Sequence, residues 1–311
     1  MSLARVIKGV GGIYTVLDLE TKEYVTVGLR GKLRNIVVSK DSSFNKQITH
    51  KTKLETKTIK ISPKVGDYVE YTCNTITEIK PRINDLIRPS IANVDQVLLI
   101  FAAKKPDFQL NLLDQFLVLM ERENIKATII ITKIDLLTLD EFSNMKETLS
   151  YYEKIGYKVF YVNSKTGDGL DEIKPIFKDK ISVLSGQTGA GKSTFINALI
   201  PGFNLQTQEI SEALGRGKHT TTATELYEFE GGFIGDTPGF SKLDFILINE
   251  SDIKDYFIEF NDYACKYRGC LHDKEPGCAI KAAVENNEIL KERYDNYLKF
   301  YLSVKQSIKK Y

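Results

Sequence analysis

Gly186-Gln-Thr-Gly-Ala-Gly191-Lys192-Ser193 constrains this chain more than any other stretch. It matches G-x-x-x-x-G-K-[ST] and lies between the apolar run ISVLS and the helix-compatible STFINALI, which is the strand, loop and helix setting that the motif requires. The glycines, Gly189 among them, let consecutive backbone N–H groups turn inward on phosphate oxygens, and the following helix adds the positive end of its dipole. Gln187, Thr188, Ala190 and Thr194 complete the loop. Lys192 is expected to reach the β- and γ-phosphates, and Ser193 to offer its hydroxyl to Mg²⁺.

Around this loop the chain has a parallel-sheet pattern. From Asn93 onward DQVLLIFAA, ATIIIT, YKVFYV and ISVLS are near-continuous apolar runs separated by helix-length segments, LNLLDQFLVLMEREN and LDEFSNMKETLSYYEKI. Such alternation implies a parallel sheet covered by helices on both faces. The first ninety residues read differently. ARVIKGV, GIYTVLDL, EYVTVGL, GDYVEYT and TITEIK are short strands broken by turns, and five of these suggest a small closed barrel of the oligonucleotide-binding (OB) kind. Past about Lys242, ESDIKDYFIEFNDY and AAVENNEILKERYDNYLKFYLSVKQSIKK look helical. The 311 residues are therefore expected to form three modules, 1–82, 83–245 and 246–311. No run of eighteen apolar residues occurs and the N-terminus lacks the pattern of a signal peptide, so a cytoplasmic chain without a membrane segment is expected.

Charge and cysteine placement narrow the choice of partners. The net charge of +2 hides an asymmetry: residues 1–90 hold 16 Lys/Arg against 9 Asp/Glu, and the rest 27 against 32. Residues 30–64 alone count 10 against 2, a basic block that suits a polyanion, RNA being the commonest. Three of the four cysteines, Cys265, Cys270 and Cys278, fall within fourteen residues, a clustering that suits a metal site in a reducing compartment. Cys73 stands alone and is expected to be a small buried hydrophobe in a strand.

Two further stretches supply what hydrolysis needs. GGFIGDTPGF places Asp236 at a strand end, where it can hold Mg²⁺ through water, and Gly239 where its N–H can sense a γ-phosphate. GRGKHTTTATELYEF offers threonines to the metal shell. Base choice falls to Thr132-Lys133-Ile134-Asp135. A carboxylate at Asp135 accepts from guanine N1–H and the 2-amino group, which adenine lacks, and a pocket that leaves it unpaired discriminates steeply. Lys133 is expected along the base, while Ser164 and Lys165 in VNSKTGDG present backbone N–H groups to the guanine O6. A plainer alternative makes TKID a strand end with Asp135 capping the next helix. The base reader here precedes the phosphate loop by some fifty residues, so the order is that of a circularly permuted GTPase.

Taken together, the basic OB-like module, the linker RPSIANVDQVLLIFAA, the permuted motifs, GRGKHTTT, DTPGF and CKYRGCLHDKEPGC closely resemble the RsgA (YjeQ) family, circularly permuted GTPases that assist maturation of the bacterial small ribosomal subunit. The resemblance implies GTP hydrolysis to GDP stimulated by that subunit, an OB module on ribosomal RNA, a monomer, and Zn²⁺ on Cys265, Cys270, His272 and Cys278. The C-x4-C-x-H-x5-C spacing independently fits a closed tetrahedral site. The family pattern puts Asn where this chain has Thr132, so that residue's contacts are expected to be weaker. Phe240 follows D-x-x-G where many GTPases carry a water-orienting Gln. His219 is the candidate for that role, and Thr221 is favoured over Thr220 and Thr222 as the Mg²⁺ ligand. Competing readings are an RNA-binding module with a structural nucleotide, and a P-loop kinase or ATPase.

Overall fold

In a computed structural model, the described residues are 1–29, 36–37, 58–59, 62–86, 90–200, 224–236 and 249–308. The basic block 30–64 falls almost wholly outside them, as do His219, Thr220, Thr221, Thr222, Gly239 and Phe240. The chain divides into two compact units, Met1–Val97 with Asp171–Ser185 and Leu199–Phe240, and Leu98–Leu170 with Gly186–Ala198 and Ser241–Tyr311. Each unit therefore draws on more than one of the modules expected from the sequence.

The first unit opens with β1 (Ser2–Val10), β2 (Ile13–Asp18), β3 (Tyr24–Leu29), β4 (Ile36–Val37), β5 (Thr58–Ile59), β6 (Tyr68–Thr72) and β7 (Thr75–Ile79). All five strands expected from the sequence are present. Antiparallel β1–β2 and β2–β3 pairs lead to a parallel β3–β7 pair, and β6 pairs with both β7 and β1. The circuit β1-β2-β3-β7-β6 thus closes on itself, which removes the unpaired edges of an open sheet. Alternation puts Ala4, Val6, Tyr14, Val16, Val27, Val69, Ile76 and Ile79 inside as the barrel core. Cys73 corrects the expectation placed on it. It is exposed and lies in the β6–β7 turn, where Cys73 and Asn74 both take left-handed backbone angles of the kind a tight two-residue hairpin demands.

After β8 (Asp85–Leu86) and β9 (Ile91–Ala92), the chain enters β10 (Gln96–Ala102). In the second unit follow helix α1 (Leu110–Arg122), β11 (Lys126–Thr132), helix α2 (Leu139–Lys154) and β12 (Lys158–Val162), with strand order β12-β11-β10. The β11–β12 pair is parallel, with Thr132 opposite Val162. A short helix α3 (Leu170–Ile173) precedes β13 (Ile181–Gly186), buried along its length, and helix α4 (Lys192–Leu199). Within the first unit, β14 (Glu225–Phe229) and β15 (Gly232–Asp236) form a hairpin. Strand β15 runs parallel to β13, and β14 pairs with barrel strand β1 at Lys8 and Glu225, whose side chains form a 2.7 Å ion pair.

The C-terminal part of the second unit contains helices α5 (Ala279–Glu285) and α6 (Lys291–Ile308). The segment ESDIKDYFIEFNDY, expected to be helical, is instead two short 3₁₀ turns, Ile253–Tyr256 and Ile258–Asp262, broken at Phe257 by a ψ of 89°. The long terminal helix expected from the sequence is likewise split, with Asn287 in a left-handed conformation between α5 and α6.

Candidate nucleotide site and metal centre

The phosphate-loop motif occupies the predicted setting. Gly186 ends β13 with φ +118°, and a Cβ there would lie 2.2 Å from the Ile100 carbonyl oxygen, so only glycine lets the loop start so close to β10. Gly189 and Gly191 also have positive φ. The Gln187 N–H donates to Ile100 O at 3.0 Å and the Ala190 N–H to Gln187 O at 3.2 Å. Lys192 begins α4, and its ammonium donates to the carbonyl of Gln187 at 2.8 Å and of Gly186 at 3.4 Å. Burial lowers its pKa from the ordinary lysine value, a desolvation that a phosphate anion offsets. Ser193 is half-buried, while Thr188 and Thr194 are exposed. This loop fits a nucleotide phosphate: glycines at positive φ carry its backbone round to α4, beside a lysine ammonium whose hydrogen bonds are to the loop's own carbonyls.

Thr132 closes β11 and is buried. Its hydroxyl donates to Ala190 O at 2.6 Å and lies 3.2 Å from Phe101 O, so a threonine makes a short direct bond to the phosphate loop despite lacking an amide. Lys133, at φ +57°, turns its ammonium onto the carbonyls of Gly189, at 2.8 Å, and Lys105. Its charge therefore serves the loop, and its stem passes 3.8 Å from the place of a Cβ on Gly191. Asp135 sits in a 3₁₀ turn, Ile134–Leu136. It does not cap the next helix: Thr138 does, through a capping box in which the Glu141 N–H donates to Thr138 Oγ1 and the Thr138 N–H to Glu141 Oε2.

The Asp135 carboxylate faces the second base loop, where Lys165 Nζ lies 3.0 Å from Oδ2. In that loop the Lys165 N–H donates to Asn163 Oδ1 at 3.0 Å, and the Gly167 N–H to the Asn163 carbonyl at 2.9 Å. Gly169 leaves no room for a Cβ, which would come 2.2 Å from Tyr161 O. The Ser164 hydroxyl is buried without a partner among the described residues, a polar atom suited to a polar ligand edge. Thus Thr132, Lys133, Asp135, Ser164 and Lys165 cluster with the loop 186–193 inside one unit. Asp236 ends β15 as expected.

The cysteine cluster is assembled as the spacing predicts. The ligand atoms of Cys265, Cys270, His272 and Cys278 all lie within 4.8 Å of one another. His272 Nδ1 is 3.5 Å from Cys265 Sγ and 3.3 Å from Cys278 Sγ, and the two sulfurs are 3.8 Å apart. A tetrahedral zinc with bonds of about 2.3 Å separates its sulfurs by roughly 3.8 Å, so the donor set and its size both fit. Burial, and then the Lys254 ammonium, lowers the His272 pKa, which keeps the imidazole neutral as a ligand must be. Burial works to raise the Cys265 thiol, but the N–H groups of Ala279 and Ile280, together with the Cys278 and Cys270 thiols, outweigh it and the net shift is downward.

Around the cluster, Glu275 accepts the N–H groups of Leu271 and Asp273 at 2.8 and 3.0 Å, and Tyr294 OH donates to His272 O at 2.7 Å. Sequence reasoning missed this supporting shell. It also missed Arg293, which is 0% exposed and joins Glu259 to Asp114.

A closed five-stranded barrel, a P-loop behind a displaced base reader, and a Cys₃His centre together define a circularly permuted P-loop GTPase with an OB module and a metal-binding helical region. The model of the RsgA GTPase family matches residues 79–246, and this chain belongs to that family. It is 46% identical over 307 residues to small ribosomal subunit biogenesis GTPase RsgA 2 of Oceanobacillus iheyensis, covering 96% of both chains. To the RsgA of Bacillus subtilis it is 42% identical, covering 100% of both. YjeQ from Thermotoga maritima superposes with a TM-score of 0.79 at 34% identity, over 97% of this chain and 98% of that one. YloQ, described as a circularly permuted GTPase, gives 0.78 at 36% identity, over 99% and 96%. The chain is accordingly a GTP hydrolase. Among the described residues, no helix is long and apolar enough to cross a membrane.

Proposed function

We propose that this GTPase binds the small ribosomal subunit and assists its late maturation, hydrolysing GTP to GDP and phosphate when the subunit stimulates it. The carrying observation is the tether of base reader to phosphate loop, Thr132 on Ala190 and Lys133 on Gly189, in a chain whose full-length relatives are named for small-subunit biogenesis.

In this reading Asp135 accepts the guanine N1–H and 2-amino protons. Ser164 and Lys165, whose ammonium is the present partner of Asp135, would offer backbone N–H groups to the guanine O6. The backbone of 186–191 and Lys192 hold the phosphates. Ser193, Thr221 and Asp236 supply ligands to Mg²⁺, which screens the phosphate charge when bound. The Gly239 N–H senses the γ-phosphate, and His219 orients the attacking water that Phe240 cannot. Zn²⁺ on Cys265, Cys270, His272 and Cys278 has a structural role. The functional modules are 1–82, 83–245 and 246–311. The first of these, with its basic block, meets ribosomal RNA, and the protein works as a cytoplasmic monomer.

The test is GTP turnover by the purified protein, alone, with isolated small subunits, and with large subunits as control. Strong stimulation by small subunits only is expected, and His219→Ala should abolish it. Tight GTP binding without stimulation would overturn the ribosomal assignment and leave the GTPase standing.

A further inference from the structure

One turn of α6 faces two ways. Tyr294 OH donates to His272 O at 2.7 Å and Tyr297 OH to Leu271 O at 2.5 Å, clasping the loop that carries the metal ligands. From the same turn, Arg293 Nη1 donates to Asp114 Oδ1 and Asn296 Nδ2 to Asp114 Oδ2, both at 2.7 Å. Arg293 also forks onto Glu259 at 2.5 and 3.0 Å, and Tyr152 OH donates to Asp114 at 2.8 Å. Asp114, Arg293, Glu259 and Asn296 are all buried. Water therefore cannot replace these bonds, and any loosening of α6 leaves charges unpaired in the interior.

Asp114 lies on α1, and the segment leading into α1 touches the phosphate loop directly. Gln187 Nε2 donates to Asp107 O at 2.9 Å, and Lys133 Nζ to Lys105 O. Directional contacts, joined along the chain between Asp114 and Asp107, thus connect the Cys₃His centre through α6 and α1 to the nucleotide loop, all within one compact unit.

We infer that metal binding and guanine-nucleotide binding are thermodynamically linked through Asp114 and Arg293, each ligand strengthening the other. Both residues are positioning residues and touch neither ligand. Metal orders the carbonyls of Leu271 and His272. These fix Tyr294 and Tyr297, and the same turn of α6 then holds Asp114 and the start of α1. The phosphate loop consequently has less freedom left to lose when nucleotide arrives. Linkage is reciprocal, so nucleotide must raise zinc affinity by the same factor. The inference rests on the two site readings above.

The experiment measures affinity for a fluorescent GDP with the full chain zinc-loaded and metal-free. It also measures zinc affinity by competition with a chromophoric chelator, with and without saturating GDP. A coupling of roughly 5-fold to 50-fold is expected, equal in both directions. The Asp114→Leu/Glu259→Met/Arg293→Met triple variant replaces the ion network by apolar side chains, an exchange that folds tolerate. It should bind GDP and zinc singly with the coupling reduced to about one. If metal removal unfolds the chain, the effect of GDP on zinc affinity alone carries the test. Zinc affinity indifferent to GDP in the unaltered protein, or undiminished coupling in the triple variant, overturns the inference. A zinc-loaded protein that binds no GDP, or one that holds no zinc, overturns the site readings beneath it.

Discussion

The barrel of β1, β2, β3, β6 and β7 and the C-terminal region 249–308 both bury apolar side chains, but only the second adds a metal-ligand cluster and a buried ion network to them. In the barrel, eight apolar side chains fill a closed ladder, and stability grows with the area withdrawn from water. In the C-terminal region the described residues form two 3₁₀ turns and two helices. It also holds a fully buried arginine, ion-paired to Glu259 and to Asp114 of α1, and four clustered metal-ligand atoms. This region has an apolar interior as well, with Phe257, Phe260, Tyr297 and Tyr301 buried, but its metal ligands and ion network add directional bonds to that packing. The lesson is one of tolerance: an apolar core loses stability by degrees, whereas a network of directional bonds fails when one partner is removed.

Metal removal is the largest perturbation that can break this contrast. Structural zinc contributes on the order of 10 kcal/mol to the small folds that depend on it, so chelation or Cys278→Ser should open the loop 265–278. Hydrogen exchange there should rise by orders of magnitude while the amides of β1 and β6 stay protected. Equal loss of protection in both regions would erase the distinction. Next, Arg293→Ala strands Glu259 and Asp114 in the interior and should cost about 3–5 kcal/mol in urea unfolding. Arg293→Lys should recover little, since an ammonium cannot fork to both carboxylates.

In the barrel, Ile76→Ala should cost about 2–5 kcal/mol and Ile76→Val only about 0.5–1.5. That graded series is the signature of packing. Thr132→Ala, which removes the hydroxyl on Ala190 O, should cost about 1 kcal/mol of GDP affinity, roughly fivefold, by titration. The smallest effect is acid-dependent. The Thr21 N–H, and then the Tyr71 hydroxyl, hold the Asp18 carboxyl at a pKa of about 2, against roughly 3.9 unfolded. The folded barrel thus favours the ionised form. This stabilisation is complete above the unfolded value and fades as pH falls from about 4 to about 2. Asp18→Asn should flatten that acid limb without moving stability's dependence on zinc.

How much was legible in the sequence follows the same division. Chemistry forces residue types at fixed spacing, so the gathering of the Cys₃His set, and of the base-reader segment against the loop that carries Gly186 and Lys192, could be anticipated, and the core strands of the barrel followed from alternation. The bonds that join distant segments carry no such local mark. Thr132 reaches Ala190 across 58 residues and Arg293 reaches Asp114 across 179. Asp114 did leave a trace, as an acid set among the apolar residues of LNLLDQFLVL. Cys73 was misplaced although the strands GDYVEYT and TITEIK leave it, with Asn74, in the gap between them, which a left-handed two-residue turn fills. ESDIKDYFIEFNDY has helical spacing, yet the chain breaks at Phe257, and Glu259 meets Arg293 from the turn that follows.

The most direct test of the central claim, that a base reader upstream of the phosphate loop builds a guanine site against it, is competition binding. GDP and ADP would each be titrated against a fluorescent guanine nucleotide, on the unaltered protein and on Asp135→Asn. Rejection of ADP by at least about a thousandfold is expected, with Asp135→Asn losing GDP and accepting xanthosine diphosphate, whose base offers the complementary carbonyl. Equal competition by ADP, or unchanged GDP affinity in Asp135→Asn, would contradict the account.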